Sequence, residues 1–296
     1  MPTWTASDLP SSSGRTVLVT GANSGIGLVA ARELARTGAR VVLAVRDPAK
    51  GARAAATIDG DVEVRRLDLA DLTSVRTFAW EWSGDLDVLI NNAGVMIPPR
   101  GTTKDGFELQ FGTNHLGHFA LTNLLLPHVT DRVVTVASAA HRHGRIDLQD
   151  PNWERREFRN WAAYGQSKLA NLLFTLELER RLRAAGSPVR ALAAHPGYAA
   201  TNLQSATTHP LQRVGMRIAN RLVAQDDAAG ALPTLFAASQ DLPGASYVGP
   251  DGRGEMRGGP TLVGRSAAAS DPAVAAALWT LSEELTDVRA ADVVAA

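Results

Sequence analysis

The chain has 296 residues, of which 45% are hydrophobic, so it can bury a sizeable core as one α/β domain. The formal net charge is zero and no long basic run occurs, so nothing predicts a nucleic-acid surface. The absence of cysteine excludes disulfides, cysteine–zinc sites and thiol nucleophiles.

The N-terminal extension, residues 1–13, is polar and contains proline, without the apolar segment of a signal peptide. No stretch of the chain reaches the length of a membrane helix. We therefore expect a soluble, cytoplasmic protein that does not bind membranes.

The first predicted elements are a strand, a glycine-rich loop and a helix. The apolar, β-branched run 16–20 predicts a buried strand, and residues 28–37 have a helical pattern. Between them lies Gly21-Ala22-Asn23-Ser24-Gly25-Ile26-Gly27. This order brings backbone N–H groups and a helix N-terminus against a pyrophosphate. The spacing is G-x-x-x-G-x-G rather than the usual G-x-G-x-x-G, so a tight turn without a ligand is the alternative.

Strands and helices alternate along the rest of the chain. Strands are predicted at 16–20, 41–45, 62–67, 86–91, 132–137, 188–194 and 246–249. Helices are predicted at 25–37, 48–57, 72–83, 103–127, 162–185, 224–239 and 272–285. The alternation predicts a single α/β domain over 1–296, with a parallel sheet covered by helices on both faces.

A tyrosine and a lysine stand four residues apart within a strongly helical pattern, 161–185. Tyr164 and Lys168 therefore lie on one face of a helix. A free tyrosine has a pKa of about 10 and is a poor acid or base at neutral pH, whereas a neighbouring cation favours the phenolate. The pair outlines an acid/base site, although lysine beside an aromatic ring is also common on surface helices.

Several motifs occur in the order typical of the classical short-chain dehydrogenases/reductases, and the chain resembles that family over about residues 14–250. The motifs are Thr20-Gly21-x-x-x-Gly25-x-Gly27, Asp68-Leu69, Asn91-Asn92-Ala93-Gly94, Asn114, Ser138, Tyr164-x-x-x-Lys168 and His195-Pro196-Gly197 with Thr201. Residues 164–171 and 113–119 are most similar to the retinol-dehydrogenase-like branch, which includes light-dependent protochlorophyllide reductases. Membrane-anchored members of that branch have an N-terminal hydrophobic segment that this sequence lacks.

The resemblance implies a Rossmann-type doubly wound parallel sheet that binds a nicotinamide cofactor. The residues that it assigns to cofactor binding are Gly21, Asn23, Ser24, Gly25, Ile26, Gly27, Arg46, Asp68, Leu69, Asn92, Ala93, Gly94, Tyr164, Lys168, Pro196, Gly197 and Thr201. For Asp68 the alternative is an N-cap of the next helix, for which Asp71 is better placed. The asparagines of 91–94 could equally have a structural role.

The cofactor preference depends on the end of the second strand. NAD-selective members of the family carry an acid there, whereas this chain has Val45 followed by Arg46. A guanidinium can pair with a 2′-phosphate, so NADP(H) is favoured over NAD(H). A solvated arginine is the alternative, and the adjacent Asp47 is an acid that could oppose the phosphate.

The resemblance implies four catalytic residues. Ser138 binds and polarises the substrate carbonyl, Tyr164 exchanges the proton, Lys168 holds the ribose and lowers the tyrosine pKa, and Asn114 holds a water that links Lys168 to solvent. An acyl nucleophile at Ser138, with His141 three residues on, is the competing idea, but no G-x-S-x-G elbow surrounds the serine.

Three segments are expected around the substrate. The family's lid corresponds to about 198–223 and is amphipathic, and Val95, Met96, Ile97 and Pro98 would form an apolar wall facing Tyr198 and Leu203. The segment 141–161, rich in arginine and tryptophan, could rim the pocket, contact a partner, or simply be a solvated loop with tryptophans folded beneath it. The histidines show no metal-ligand spacing, so no metal is expected.

The sequence therefore predicts an NADP(H)-preferring oxidoreductase that interconverts a carbonyl and an alcohol on a small, apolar substrate. Reduction of a C=C bond is the nearest alternative, and a non-catalytic NADP-binding sensor or scaffold is the second. We expect no nucleic-acid partner, and a homo-oligomer is possible.

Overall fold

One eight-stranded sheet organises the protein in the computed structural model, which describes residues 4–198 and 226–289. The strands are β1 (Thr16–Thr20), β2 (Arg40–Val45), β3 (Val62–Arg66), β4 (Leu86–Asn91), β5 (Val129–Val136), β6 (Arg190–Ala194), β7 (Tyr247–Pro250) and β8 (Pro260–Leu262). Their order across the sheet is β3-β2-β1-β4-β5-β6-β7-β8. All neighbours pair in parallel except β7 and β8. The order reverses between β1 and β4, where open α/β sheets form a ligand crevice.

Helices cover both faces of this sheet. Those in the described part of the chain are α1 (Gly25–Arg36), α2 (Pro48–Ala55), α3 (Leu72–Trp80), α4 (Leu109–Phe111), α5 (Gly117–Leu125), α6 (Asn160–Ala184), α7 (Asp227–Ser239) and α8 (Pro272–Thr286). A π-helical turn, Gly112–Leu116, joins α4 to α5. None of the helices in residues 4–198 and 226–289 combines the length and apolar character that crossing a membrane requires.

Aspartates begin several of these helices. Asp47 accepts hydrogen bonds from two backbone N–H groups of α2, Asp71 does so for α3, and Asp271 for α8. Each carboxylate satisfies donors that would otherwise lack a partner at a helix N-terminus. Asp71, rather than Asp68, is therefore the cap of α3, as the sequence suggested.

The core lies in two layers, one on each face of the sheet. Side chains of α1 and α7 pack on one face, for example Ala30 and Leu235 against Val19. On the other face α5, α6 and α8 enclose a cluster of aromatic rings in which Phe174 stacks on Trp279 with ring centroids 5.7 Å apart. These layers fix the sheet between rigid helices, so the strand ends hold their loops in place.

Two local predictions about secondary structure were wrong. The helix predicted over 103–127 does not begin until Leu109, because Thr102 pairs with Glu108 in an isolated β-bridge and the segment between them turns. The antiparallel strand β8 was not predicted, since three residues that begin with proline carry no alternating pattern. Thr201 and the predicted lid beyond Tyr198 lie outside the described residues, as does the start of the helix predicted at 224–239.

Candidate active site

A cavity of about 1660 Å³ opens at the carboxyl ends of the parallel strands. It lies beside the switch point between β1 and β4, where this class of sheet binds ligands. Most of the predicted cofactor and catalytic residues line it, namely Gly21, Asn23, Ser24, Gly25, Ile26, Gly27, Arg46, Asp68, Leu69, Asn92, Ala93, Gly94, Ser138, Tyr164, Lys168, Pro196 and Gly197. Residues that are far apart in the sequence thus meet on one surface.

The glycine-rich loop packs closely against the residues that follow β4. Gly21 has φ 67, and a Cβ there would lie 2.9 Å from the Cβ of Ala93. A Cβ on Gly27 would lie 2.3 Å from Asn92 Nδ2, so both positions require glycine. Helix α1 begins at Gly25, and the Ser24 side chain does not cap it. The N–H groups at this helix start can therefore meet an anion such as a pyrophosphate.

Asn91 and Asn92 both have structural hydrogen bonds. Asn91 is fully buried and its Nδ2 donates to Thr122 Oγ1 at 2.8 Å. Asn92 lines the cavity while its Nδ2 donates to the carbonyl of Thr20 at 2.8 Å. The backbone N–H groups of Asn92 and Ala93 both donate to Thr20 Oγ1 at 2.9 Å. These bonds tie the end of β4 to the end of β1 and fix the cavity floor.

Arg46 and Asp47 have different environments at the end of β2. Arg46 is exposed and lines the cavity. The carboxylate of Asp47 accepts from the N–H groups of Ala49 and Lys50, and these bonds lower its pKa. The acid that could oppose a 2′-phosphate is thus engaged at the start of α2, while the guanidinium faces the cavity.

Ser138 and Tyr164 are neighbours on the cavity wall and share a side-chain hydrogen bond. Ser138 follows β5 and accepts a hydrogen bond from the N–H of Ala140 at 3.2 Å. Tyr164 lies in α6, and burial raises its pKa to about 12, partly offset by a side-chain hydrogen bond with Ser138. The phenol is therefore protonated at neutral pH and can donate its proton.

Lys168 differs from its predicted role in one respect. Its Nζ lies 5.9 Å from the Tyr164 ring centroid and donates to the carbonyl of Val136 at 3.0 Å. Burial lowers the lysine pKa to about 8. The predicted lowering of the tyrosine pKa is not seen: burial raises it, and the Lys168 amine instead donates to the carbonyl of Val136 at the end of β5.

Asn114 lies in the π-helical turn between α4 and α5. Its Oδ1 accepts from the N–H of Val95 at 2.7 Å, and its Nδ2 donates to the carbonyl of Val95 at 2.9 Å and to Ser167 Oγ at 3.0 Å. A π-turn inside a helix is frequent at functional sites. Here it aims the amide at the cavity wall beside Lys168, and the predicted water at Asn114 stays a prediction.

The competing serine-nucleophile hypothesis finds no support in the geometry. His141 Nδ1 lies 2.7 Å from the backbone oxygen of Ser138, not from its hydroxyl. Its Nε2 accepts from the N–H of Ser266 at 3.3 Å. Both ring nitrogens of His141 thus interact with backbone atoms, so His141 is not positioned to act as a general base for the Ser138 hydroxyl.

Sequence reasoning missed a charged group at the cavity. Glu255 lines it and lies 3.0 Å from His195 Nε2 and 2.6 Å from Arg142. Burial lowers the pKa of His195 to about 4 although Glu255 favours the charged imidazole. A glycine-rich segment before a three-residue strand offers no pattern by which this glutamate could have been found.

The cavity lining includes several apolar residues that were predicted to form a substrate wall. Val95, Met96 and Ile97 line it as predicted, whereas the described Pro98 does not. Tyr198 lines it too, and Leu203 falls outside the described residues. Sequence reasoning missed Met256, which joins them.

Two of the interpretations of the arginine- and tryptophan-rich segment, 141–161, each hold for a different part of it. Trp153 is buried beneath Arg156, whose guanidinium lies 3.7 Å from the ring centroid, as in a solvated loop folded over a tryptophan. Trp161 is 66% exposed and lines the cavity, so this end of the segment does rim the pocket.

Comparison with known proteins gives the family. Residues 15–212 match the short chain dehydrogenase family. Human retinol dehydrogenase 13 is 52% identical over 202 residues, which cover 64% of this chain and 60% of that protein. The chain thus spans less than two thirds of that relative.

Solved structures agree with this assignment. The crystal structure of an uncharacterized protein from Mycobacterium paratuberculosis is 60% identical, covers 97% of this chain and 99% of its own, and superposes with a TM-score of 0.86. A short chain dehydrogenase from Escherichia coli in complex with NADPH is 26% identical, covers 79% of this chain and 93% of its own, and has a TM-score of 0.59. The chain belongs to the short-chain dehydrogenase/reductase family of oxidoreductases, in its retinol-dehydrogenase-like branch.

Proposed function

We propose that this protein is an NADP(H)-preferring oxidoreductase that interconverts a carbonyl and an alcohol, with Tyr164 as the acid/base. One observation carries the proposal: Ser138, Tyr164 and Lys168 line the same cavity as the open N-terminus of α1. In the proposed reaction Tyr164 would be the proton donor, Ser138 the carbonyl-binding hydroxyl and the start of α1 the pyrophosphate site.

The described residues fit a dinucleotide cofactor. The glycine loop and the start of α1 would bind the pyrophosphate, and Arg46 would pair with a 2′-phosphate. Asp68 and Leu69 would contact the adenine side, and Pro196 and Gly197 the nicotinamide side. When bound, the nicotinamide supplies or accepts the hydride. The NADPH complex of the Escherichia coli relative supports this cofactor class.

In the direction of reduction, Ser138 would donate a hydrogen bond to the carbonyl oxygen and hold it beside Tyr164. As the carbonyl carbon gains a hydride, its oxygen takes the phenolic proton. Burial keeps that proton on Tyr164 until negative charge develops on the substrate oxygen. Lys168 carries a pKa of about 8 and would stabilise the resulting phenolate while holding the ribose.

The substrate side of the cavity favours an apolar molecule. The lining includes the apolar side chains of Met96, Ile97, Trp161 and Met256. A hydrophobic ketone or aldehyde whose oxygen meets Ser138 and Tyr164 suits this arrangement. The name of the human relative, a retinol dehydrogenase, is consistent with such a substrate.

The test is oxidation of NADPH by the purified protein with a panel of ketones, aldehydes and enones, followed by product analysis. We expect alcohols from ketones or aldehydes. Saturated ketones from enones would instead identify a C=C reductase, and cofactor binding without turnover of any compound would identify a sensor or scaffold.

A further inference from the structure

Ile97 lies on the cavity wall, and its backbone adopts a conformation that is unfavourable for its side chain. Its φ is 51, in the left-handed region. A β-branched residue rarely occupies that region, because its Cβ crowds the following carbonyl. Such a conformation persists only where the surrounding structure imposes it, and these positions cluster at functional sites.

Two polar side chains impose it here. Gln110 Oε1 accepts a hydrogen bond from the N–H of Ile97 at 2.9 Å. Asn160 Nδ2 donates to the carbonyl of the next residue, Pro98, at 2.6 Å. The two amides also bind each other, since Gln110 Nε2 donates to Asn160 Oδ1 at 2.8 Å and to its backbone oxygen at 3.1 Å.

The location of Gln110 makes this arrangement rigid. Its side chain is fully buried in α4, and all of its polar atoms are used by Ile97 and Asn160. A buried amide with satisfied partners has one favourable orientation, and losing a partner carries a desolvation penalty. The backbone on one side of Ile97 is also fixed, because both the N–H and the carbonyl of Val95 bind Asn114.

Asn160 connects the wall to the catalytic helix. It is the first residue of α6, which carries Tyr164 one turn later, and its neighbour Trp161 lines the cavity. The Trp161 ring meets the Tyr164 ring edge-on, with centroids 6.4 Å apart. Asn160 therefore links the cavity wall that carries Ile97 to the helix that carries Tyr164.

We propose that Gln110 and Asn160 form a clamp that holds Ile97 in its left-handed conformation, and that Ile97 thereby sets the width of the substrate pocket. Gln110 and Asn160 are positioning residues, and Ile97 determines specificity. The part that concerns specificity rests on the proposed carbonyl chemistry, whereas the clamp itself does not.

The clamp is tested by hydrogen exchange in the NADPH complex. We expect Gln110→Met to speed exchange of the Ile97 amide by at least about tenfold, since its acceptor is removed. Asn160→Ala, at a half-buried position, should speed it less, because Gln110 Oε1 remains and Gln110 Nε2 loses only one of its two acceptors, Asn160 Oδ1. Gln166→Met is the matched control: Gln166 is also a buried glutamine, but it lies in α6 and binds the carbonyl of Pro151 instead of the pocket wall.

The specificity role is tested with kcat/KM for a small and a bulky ketone, cyclohexanone and 2-tetralone. Ile97→Gly should raise the ratio of kcat/KM for 2-tetralone to kcat/KM for cyclohexanone by about tenfold or more. Gln110→Met should shift the same ratio while changing NADPH affinity by less than about twofold, since no cofactor contact is altered. Ala245→Gly is the control for strain relief alone, because Ala245 also has a positive φ, 59, and does not line the cavity.

The outcomes separate the two proposals. Unchanged exchange at Ile97 in both clamp variants would overturn the clamp, whatever the activity. Faster exchange with an unchanged substrate ratio would overturn the specificity role of Ile97. If no compound of the panel is reduced, the proposed function fails while the exchange result still decides the clamp.

Discussion

His195 Nε2 lies 3.0 Å from Glu255 Oε2, and the other ring nitrogen of His195 accepts from the N–H of Gly197 at 3.2 Å. Since Nδ1 is an acceptor, the neutral ring carries its proton on Nε2 and donates it to the glutamate. Arg142, near Ser138, holds the same carboxylate from the other side. Glu255 therefore joins the turn after β6 to the segment after β5.

This relationship predicts that Glu255 supports cofactor binding through the turn 195–197. Glu255→Gly should weaken NADPH binding by roughly fivefold, the loss expected for one hydrogen bond. Its backbone should tolerate glycine, because Glu255 has φ 57. Glu255→Gln keeps an acceptor for His195 and should bind NADPH within about twofold of the parent. Titration of nicotinamide fluorescence measures the NADPH affinity of both variants. Equal affinities would mean that a side-chain oxygen at position 255 does not support cofactor binding.

Acid should destabilise the protein through its buried histidines. Burial lowers the pKa of His115 to about 3 and those of His118 and His195 to about 4. The unfolded chain takes up protons below about pH 6.5, whereas the folded chain does not, so the free energy of unfolding falls between about pH 6.5 and 4. At about 1.36 kcal/mol per pKa unit, the loss is at most about 3.4 kcal/mol for His118 or His195, and about 5 kcal/mol for His115 once the pH falls to about 3.

Urea midpoints measured at about pH 7.5 and pH 5 will check this expectation. His118→Gln should flatten the dependence on pH even if it lowers stability overall, because one depressed pKa is removed. A midpoint that does not change between the two pH values would mean that these rings reach solvent in the folded protein.

Tyr164→Phe should reduce kcat by about 10²–10⁴-fold, because only the transferable proton is lost while the ring still fills its space. NADPH affinity should stay nearly unchanged. Lys168→Ala should reduce both turnover and affinity, since it removes a ribose contact as well as charge. Tyr247→Phe is the matched control, because Tyr247 is buried near the site and its hydroxyl has no hydrogen-bond partner among the described residues. Residual activity above about a tenth in Tyr164→Phe would place the proton donor elsewhere.

Arg46→Asp should abolish or reverse the preference for NADP(H) over NAD(H). The variant replaces a guanidinium on the cavity with an acid that repels a 2′-phosphate and can bind ribose hydroxyls. Arg53→Asp makes the same charge change at an exposed position of α2 away from the cavity and should leave the preference intact. Equal affinity of the parent for the two cofactors would refute the assignment of Arg46.

Met96 should affect the choice among substrates but not cofactor affinity. It lies on the apolar wall, so Met96→Ala should favour bulkier carbonyl compounds, with changes in relative kcat/KM of about tenfold or more. Steady-state kinetics with aldehydes of increasing size will measure the ranking. An unchanged ranking with a lower melting temperature would mean that Met96 only packs the wall.

The parallel sheet could be predicted from the sequence because strands and helices alternate clearly along the chain. The strand 16–20 has an apolar centre, Val17-Leu18-Val19, and Gly21 directly after it has φ 67, a conformation that favours glycine. Tyr164 and Lys168 could be proposed as an acid/base pair because they share a helix face, and both line the cavity. Glu255 and Gln110 could not be found, since each acts through a partner more than ten residues away, and no local pattern encodes that contact.

The helix predicted from residue 103 shows a second limit. Apolar and polar residues over 103–108 fit a helical period, yet the β-bridge between Thr102 and Glu108 and the buried carboxylate of Glu108 start the helix later. Glu108 accepts from two backbone N–H groups at that start, and burial still raises its pKa. Tertiary burial thus decided a boundary that local propensity left open.

The two outer strands of the sheet have a consequence for self-association. On one side β3 alternates Glu63 with Arg65, and on the other β8 has only three residues and begins with Pro260. Charges and proline on edge strands discourage the addition of another strand, which is the route to fibrils and to sheet-extended dimers. Copies of this chain are therefore not expected to associate by extending the sheet.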